Sequence, residues 1–228
     1  MVDTNKDGRS RQCVVQAMRE LVEKGLTQGT SGNISVRYGA GMLITPTGIA
    51  PAKLLPEHIV EMQLDGQVAQ GALTPSSEWR MHADVYHAKE DTHAIVHCHS
   101  PFATILACAH KPVPALHYMV AGAGGFGIPL ADYATFGSKD LSRANLAALS
   151  GSLACLLANH GQLATGQNLD SALQLAQLVE ELAHCHWGAL AIGGPQLLDT
   201  AQMEEVMEAF SSYGQQHSCD DQAPDDNS

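Results

Sequence analysis

Segments with helical periodicity and segments with strand periodicity follow one another along this chain without a regular β-α-β repeat. Apolar spacing and capping residues predict helices at about residues 14–25, 76–89, 101–109, 168–192 and 203–210. Runs of β-branched and aliphatic residues predict strands at about residues 32–37, 42–45, 92–98 and 153–158, and a hairpin at residues 65–66. Parallel strands need helical crossovers, so this order favours an α/β fold with a central, largely antiparallel sheet covered by helices.

The composition excludes several classes of protein. The hydrophobic share of 45% and the charged share of 16% are typical of a soluble globular domain. No apolar run is long enough to cross a bilayer, and the first residues lack a secretory signal, so we expect a cytoplasmic protein with no membrane partner. The net charge of −12, with only 12 Lys and Arg, argues against a nucleic-acid partner. The six cysteines occur singly and are predicted to be reduced.

The triplet His97-Cys98-His99 lies at the end of a predicted strand. Side chains two positions apart in a strand project from the same face, so His97 and His99 can grip one ion. A catalytic zinc site normally has three protein ligands and an open position. The identical triplet at residues 184–186 lies inside a predicted helix, where residues two apart point in different directions, so it is a poor chelate.

Two further residues are candidates to complete this metal site. His160 follows an apolar strand and begins a turn, a position at which functional sites are commonly built. Glu78 is expected in the first turn of a helix, where it is a candidate fourth, displaceable ligand or base. In a chain with 12 histidines, the alternative is that His97 and His99 are only core residues.

Three loops rich in small and hydroxylated residues are candidate anion sites. Glycine lets the backbone approach a ligand closely, and unpaired N–H groups at turns and helix starts attract phosphate. The alternative is that each is an ordinary turn, although their recurrence favours a common site. These loops span residues 30–33, 45–48 and 76–77.

Seven segments, taken in order, resemble the class II aldolase/adducin family. The resemblance covers residues 10–214, and the ordered motifs make it specific. The motifs are GTSGNISVR (29–37), ITPTGI (44–49), PSSEWRMH (75–82), IVHCHSPFAT (95–104), HYMVAGAGG (117–125), YATFGS (133–138) and ANHGQLATG (158–166).

The resemblance implies a role for each candidate residue. It implies a zinc ion (Zn²⁺, with Mn²⁺ or Co²⁺ as alternatives) held by His97, His99 and His160. Glu78 is implied as a ligand that moves aside to act as acid and base. Tyr118 and Tyr213 match tyrosines that act near the aldehyde end, commonly across a subunit interface. The implied phosphate-binding residues are Thr30, Asn33, Thr47, Gly48, Ser76 and Ser77.

The resemblance also implies the fold, the assembly and the reaction. The fold is a three-layer α/β/α arrangement in a catalytic domain at residues 10–214. The resemblance leaves out residues 1–9, expected to be a flexible N-terminus, and residues 215–228, whose acidic, polar composition predicts a disordered tail. The assembly is a homotetramer with active sites at subunit interfaces. The reaction is the reversible cleavage of a ketose 1-phosphate to dihydroxyacetone phosphate and an aldehyde through a metal-bound enediolate. The expected substrates are L-fuculose, 5-deoxypentulose and 5-methylthioribulose 1-phosphates.

Two other functions compete with this hypothesis. A pentulose-5-phosphate 4-epimerase shares the scaffold, but epimerases typically have Asp at the position of Glu78. A non-catalytic, adducin-like interaction domain is expected to have lost the metal ligands, whereas His97, His99 and His160 are all present.

Overall fold

The computed structural model describes residues 4–212 and contains six α-helices and one seven-stranded sheet within that range. The helices are α1 (Thr4–Glu23), α2 (Trp79–Ala88), α3 (Pro101–Cys108), α4 (Lys139–Ala148), α5 (Leu169–Ala191) and α6 (Thr200–Ser212). The strands are β1 (Asn33–Tyr38), β2 (Gly41–Ile44), β3 (Val60–Gln63), β4 (Ala94–Cys98), β5 (Leu130–Ala131), β6 (Ala154–Leu157) and β7 (Gly161–Gly166).

The sheet has the strand order β3-β2-β1-β4-β7-β6-β5. Every neighbouring pair is antiparallel except β5 and β6, so the prediction of a largely antiparallel sheet is confirmed. Strand β4 lies at the centre, where His97 is paired with Asn33 of β1 on one side and with Leu163 of β7 on the other. This register brings the end of β4 next to the start of β1 and to the turn between β6 and β7.

Helices cover both faces of the sheet. Val96 of β4 packs into an apolar cluster with residues of α1, α3 and α5, whereas the adjacent Ile95 packs into a second cluster with residues of α2 and α4. Successive strand side chains point to opposite faces, so this alternation divides the core into two layers. The three-layer α/β/α arrangement is therefore confirmed. Within residues 4–212, no helix combines the length and apolar character that a membrane span requires.

The start of α2 differs from the prediction. The sequence placed the helix start at Ser76 or Ser77 and Glu78 in the first turn, but Trp79 is the first helical residue and Glu78 is the N-cap. Pro75 pairs with Pro46, and the Ser76 N–H donates to the Thr45 carbonyl oxygen, at 3.0 Å. This pairing holds the segment against the end of β2, so the helix cannot begin until after it.

Candidate active site

Three imidazole rings converge at the end of the central strand. His97 belongs to β4, His99 follows it directly, and His160 lies in the turn between β6 and β7. The ring centroids are 5.0 Å apart for His97 and His99, 4.7 Å for His97 and His160, and 4.9 Å for His99 and His160. One nitrogen from each ring lies within 4.8 Å of the others, a spacing that allows all three to bind one ion.

Close backbone packing brings these rings together. A Cβ atom added to Gly161 would lie 2.5 Å from the Cys98 carbonyl oxygen, and one added to Gly32 would lie 2.8 Å from the His97 carbonyl oxygen. Real Cβ atoms do not approach oxygen so closely, and Gly32 also has a positive φ of 77°. Glycine at both positions lets the β6–β7 turn and the start of β1 pack directly against the end of β4.

The hydrogen-bonding pattern of His97 fits a bound cation. Its Nδ1 lies 2.8 Å from the Gln162 carbonyl oxygen, which can only accept, so Nδ1 carries the proton. In the neutral ring, the Nε2 lone pair then faces His99 Nε2 at 3.1 Å and Glu78 Oε2 at 3.2 Å. A lone pair directed at a carboxylate oxygen is unfavourable unless positive charge lies between them, and a divalent metal supplies that charge.

The pKa directions of the three histidines agree with this requirement for positive charge. Burial lowers the pKa of His97, but the charge of Glu78 and the hydrogen bond to it raise the pKa above the usual value overall. Burial first, and then the charge of His97, lower the pKa of both His99 and His160 to about 4. His99 and His160 are therefore neutral near pH 7, as metal ligands must be. The donor set of three imidazoles fits zinc, which accepts three protein ligands at a catalytic site.

Glu78 is 7% exposed and faces this cluster. Its Oε2 accepts a hydrogen bond from Asn33 Nδ2 at 3.0 Å. Its Oε1 lies 3.3 Å from His160 Nε2 and has no hydrogen-bond partner among the described residues. Burial by itself raises the pKa of Glu78, but the charge of His97 and the hydrogen bond from it, together with His160 and Asn33, lower the pKa overall. The carboxylate is therefore ionised at neutral pH and can accept a proton.

A cavity of about 410 Å³ opens beside the histidines and Glu78. All six residues predicted to bind phosphate line it, and the same wall contains no Lys or Arg within the described part of the chain. Backbone N–H groups and hydroxyls are thus the donors that the cavity offers to an anion. These six residues are Thr30, Asn33, Thr47, Gly48, Ser76 and Ser77.

The described residues that line the cavity include neither of the two predicted tyrosines but do include two other aromatic residues. Tyr118 begins a 3-10 helix (Tyr118–Ala123), is 51% exposed, and does not line the cavity of its own chain within residues 4–212. Tyr213 lies outside the described residues. Tyr133 and Phe136, which were not predicted as site residues, line the cavity and are 63% and 67% exposed. Their signal in the sequence was a pair of aromatic residues in the loop YATFGS, where no strand or helix buries them.

The chain belongs to the class II aldolase and adducin family, whose N-terminal domain matches residues 12–187. It is 49% identical over 204 residues to a 5-methylthioribulose-1-phosphate/5-deoxyribulose-1-phosphate aldolase from Rhodospirillum rubrum, covering 90% of this chain and 92% of that protein. It is 45% identical over 202 residues to an L-fuculose phosphate aldolase from Escherichia coli, covering 88% and 94%. A solved structure of an L-fuculose 1-phosphate aldolase superimposes with a TM-score of 0.86 and 41% identity, covering 89% of this chain and 96% of that one.

These comparisons confirm three predictions. The family resemblance is confirmed by the family match, and the α/β fold by the superposition. The prediction of an enzyme of the class II aldolase type is confirmed at the level of the enzyme class, because the relatives that cover most of the chain are named aldolases. The family also implies a divalent metal, and the three histidines form a cluster that could hold one.

Proposed function

We propose that this enzyme is a zinc-dependent aldolase that reversibly cleaves a ketose 1-phosphate to dihydroxyacetone phosphate and an aldehyde. The observation that carries this proposal is that the three-histidine cluster and Glu78 lie at one side of a cavity. The rest of the cavity wall is formed largely by loops rich in glycine, serine and threonine. Those loops provide uncharged donors suited to a phosphate, and His99, His160 and Glu78 line the same cavity of about 410 Å³, with His97 buried directly behind them. The arrangement therefore suits a small sugar phosphate.

The phosphate would be held by the three loops. Gly48 has a positive φ of 72°, a conformation that lets backbone N–H groups point into the cavity. Ser76 and Ser77 precede the N-cap of α2, so the first N–H groups of that helix lie next to them. Thr30, Asn33 and Thr47 complete the set with hydroxyl and amide donors.

Glu78 would move the proton during the reaction. In the synthetic direction, its ionised carboxylate removes a proton from the carbon of dihydroxyacetone phosphate that becomes the nucleophile. In the cleavage direction, it returns that proton. When bound, the metal supplies Lewis-acid stabilisation of the negative charge that develops on the substrate. His97, His99 and His160 would hold it, with Zn²⁺ as the first choice and Mn²⁺ or Co²⁺ as alternatives.

A tyrosine would exchange a proton with the aldehyde oxygen. Tyr118 is exposed outside the cavity of its own chain, so we propose that it enters the cavity of a neighbouring subunit in a homotetramer. Tyr213 is the alternative donor. Tyr133, Ala134 and Phe136 add an apolar wall that suits an aldehyde with an apolar end.

A direct assay of cleavage tests the proposed function. We expect the zinc-loaded protein to release dihydroxyacetone phosphate from L-fuculose, 5-deoxyribulose or 5-methylthioribulose 1-phosphate, measured by coupled oxidation of NADH. These substrates share the phosphate end, and each yields an aldehyde with a methyl or methylthio end. Comparing kcat/KM across the three identifies the preferred aldehyde. Epimerisation of a pentulose 5-phosphate without release of dihydroxyacetone phosphate would instead establish the epimerase alternative.

A charge placed in the phosphate loops should weaken substrate binding. Ser77 lines the cavity and is exposed, so Ser77→Asp is tolerated by the fold but puts a carboxylate near the proposed phosphate. Two like charges about 4 Å apart repel by at least about 1 kcal/mol, which predicts a KM increase of roughly fivefold or more. Ser77→Asn, which is neutral and of similar size, is the matched control and should change KM much less. Equal KM values for the two variants would exclude phosphate from this loop.

A further inference from the structure

A chain of hydrogen bonds leads from Glu78 into the core. Asn33 joins Glu78 to His82, because its Nδ2 lies 3.0 Å from Glu78 Oε2 and its Oδ1 lies 2.6 Å from His82 Nε2. His82 Nδ1 lies 2.7 Å from Ser35 Oγ, which lies 2.8 Å from the Tyr86 hydroxyl. His82 and Ser35 are 0% exposed, and Tyr86 is 1% exposed. The chain is thus sealed from solvent at every residue behind Asn33.

Every hydrogen bond in this chain has one allowed direction. The ionised carboxylate of Glu78 can only accept, so the Asn33 amide must present Nδ2 to it and Oδ1 to His82. His82 Nε2 must then donate to Asn33 Oδ1. Burial, with the charge of His97, lowers the pKa of His82 to about 3, so the ring is neutral and its Nδ1 accepts from the Ser35 hydroxyl. The Ser35 oxygen in turn accepts from the Tyr86 hydroxyl.

Resting on the proposed function, we propose that His82 is a positioning residue that locks the Asn33 amide and thereby holds Oε2 of Glu78 in place. If the Asn33 amide could rotate freely, its oxygen could face the Glu78 carboxylate, and the two oxygens would repel each other. The Nε2–H of His82 removes that alternative, because only the amide oxygen can accept from it. Preorganisation of a catalytic group by such outer partners is a general feature of enzyme sites.

The same geometry gives the two oxygens of Glu78 different roles. Oε2 is held by Asn33, whereas Oε1 is buried without a hydrogen-bond partner among the described residues. A carboxylate anchored through one oxygen keeps its other oxygen directed at the cavity side, where His160 Nε2 lies 3.3 Å away. Oε1 is therefore the oxygen that exchanges a proton with the substrate carbon.

Two substitutions of His82 separate positioning from simple structural support. The amide of a glutamine reaches the position of Nε2 and can donate to Asn33, whereas the amide of an asparagine reaches only the position of Nδ1. We expect His82→Asn to lower kcat for carbon-proton exchange of dihydroxyacetone phosphate by about 10- to 100-fold, with KM within threefold of wild type. His82→Gln should recover most of that loss. Zinc content and the melting temperature, measured for both variants, verify that the metal and fold are retained.

Each outcome bears on the inference. An increase in KM with unchanged kcat would mean that His82 affects only the phosphate contact of Asn33 and does not position Glu78, which overturns the inference. Equal losses of kcat in His82→Asn and His82→Gln would show that His82 has only a structural role, which also overturns the inference. If wild-type protein shows neither exchange nor cleavage, the proposed function fails instead.

A spectroscopic measurement tests the hydrogen-bond chain without any activity. In full-length protein labelled with ¹⁵N-histidine and loaded with zinc, we expect the His82 resonances to show a bare Nδ1 and a protonated Nε2 that exchanges slowly with solvent. This tautomer should persist across the range from pH 6 to pH 8, since the ring is sealed from solvent. A protonated Nδ1 would reverse the direction of the chain and refute the lock on Asn33. His87, exposed in the last turn of the same helix, provides the contrasting, fast-exchanging signal.

Discussion

Glu78→Gln should abolish carbon-proton exchange while leaving the metal site occupied. Glutamine has nearly the same size and shape as glutamate, and its amide oxygen can still accept from Asn33 Nδ2, so the fold should be retained. The proposed ligands His97, His99 and His160 are unchanged, so zinc should remain bound. The lost function is that of the base, because an amide does not accept a proton from carbon at neutral pH. General acid–base catalysis contributes about 10²- to 10⁴-fold, and a loss of that size is expected.

The measurement is the incorporation of deuterium from solvent into dihydroxyacetone phosphate, followed by proton NMR without an aldehyde present. This assay isolates proton removal from carbon–carbon bond formation. Glu57→Gln, at an exposed carboxylate in another part of the chain, is the control and should exchange deuterium at the wild-type rate. If Glu78→Gln exchanged as fast as wild type with zinc bound, Glu78 would not be the base.

The elements with strong local signals were predicted well. The Asn168 side chain accepts from the Ser171 N–H and caps α5, as the sequence indicated for the helix starting near residue 168. Pro101 opens α3 where the Ser-Pro pair predicted it. Gly25, with a φ of 71°, lies in the turn that follows α1, two residues after the helix end and close to the end predicted at about residue 25. Caps and proline starts act within a few residues, so they can be recognised without knowledge of the rest of the fold.

Helix α4 and strands β5 and β7 were not predicted, and α4 and β7 were missed for different reasons. Helix α4 begins after Ser138, whose side chain accepts from the Leu141 N–H, so a capping signal was present, but the helix that follows has only ten residues and half of them are polar. Strand β7 is bounded by Gly161 and Gly166 and has no alternation of polar and apolar residues, because five of its six residues are buried on both faces of the sheet. Its strand character is set by pairing with β4 and β6.

The candidate site, too, was predicted in part from local sequence signals, whereas the rest of it depends on tertiary structure. Period-two spacing in a strand predicted that His97 and His99 could act together. Local position made His160 and Glu78 candidates, and the family resemblance assigned all four residues to one site. The convergence of the four residues depends on the register of β4 against β7, in which Cys98 pairs with Gln162. Such a register joins residues more than 60 positions apart, and no local pattern specifies it. The role of His82 was not predicted, because a buried histidine on a helix carries no sequence signal of the residue that it contacts.

Loss of His160 should remove both the metal and the activity. His160 lies in the turn between β6 and β7, whereas His97 and His99 lie together at the C-terminal end of β4, so His160→Ala leaves only those two ligands. Outer partners of a metal ligand typically contribute 10- to 100-fold to affinity or activity, so loss of a ligand itself is expected to lower zinc affinity by more than about 100-fold. The measurements are zinc content after dialysis, by mass spectrometry, and cleavage of the preferred ketose 1-phosphate. Dialysis of wild-type protein against a chelator should reproduce the loss, and added zinc should reverse it only in wild type.

The second His-Cys-His triplet provides the matched control for this experiment. His184 lies inside α5 and stacks on Phe102 at 3.8 Å between ring centroids, away from the three-histidine cluster. His184→Ala should therefore retain zinc and activity at the wild-type level, despite the identical local sequence around residues 97–99. The contrast follows from backbone geometry, because residues two apart share a face in a strand and lie about 200° apart on a helix. The proposed reaction needs the metal, because Glu78 provides no positive charge to stabilise a carbanion. Full activity in chelated, metal-free protein would therefore show that the reaction does not take place at this metal site.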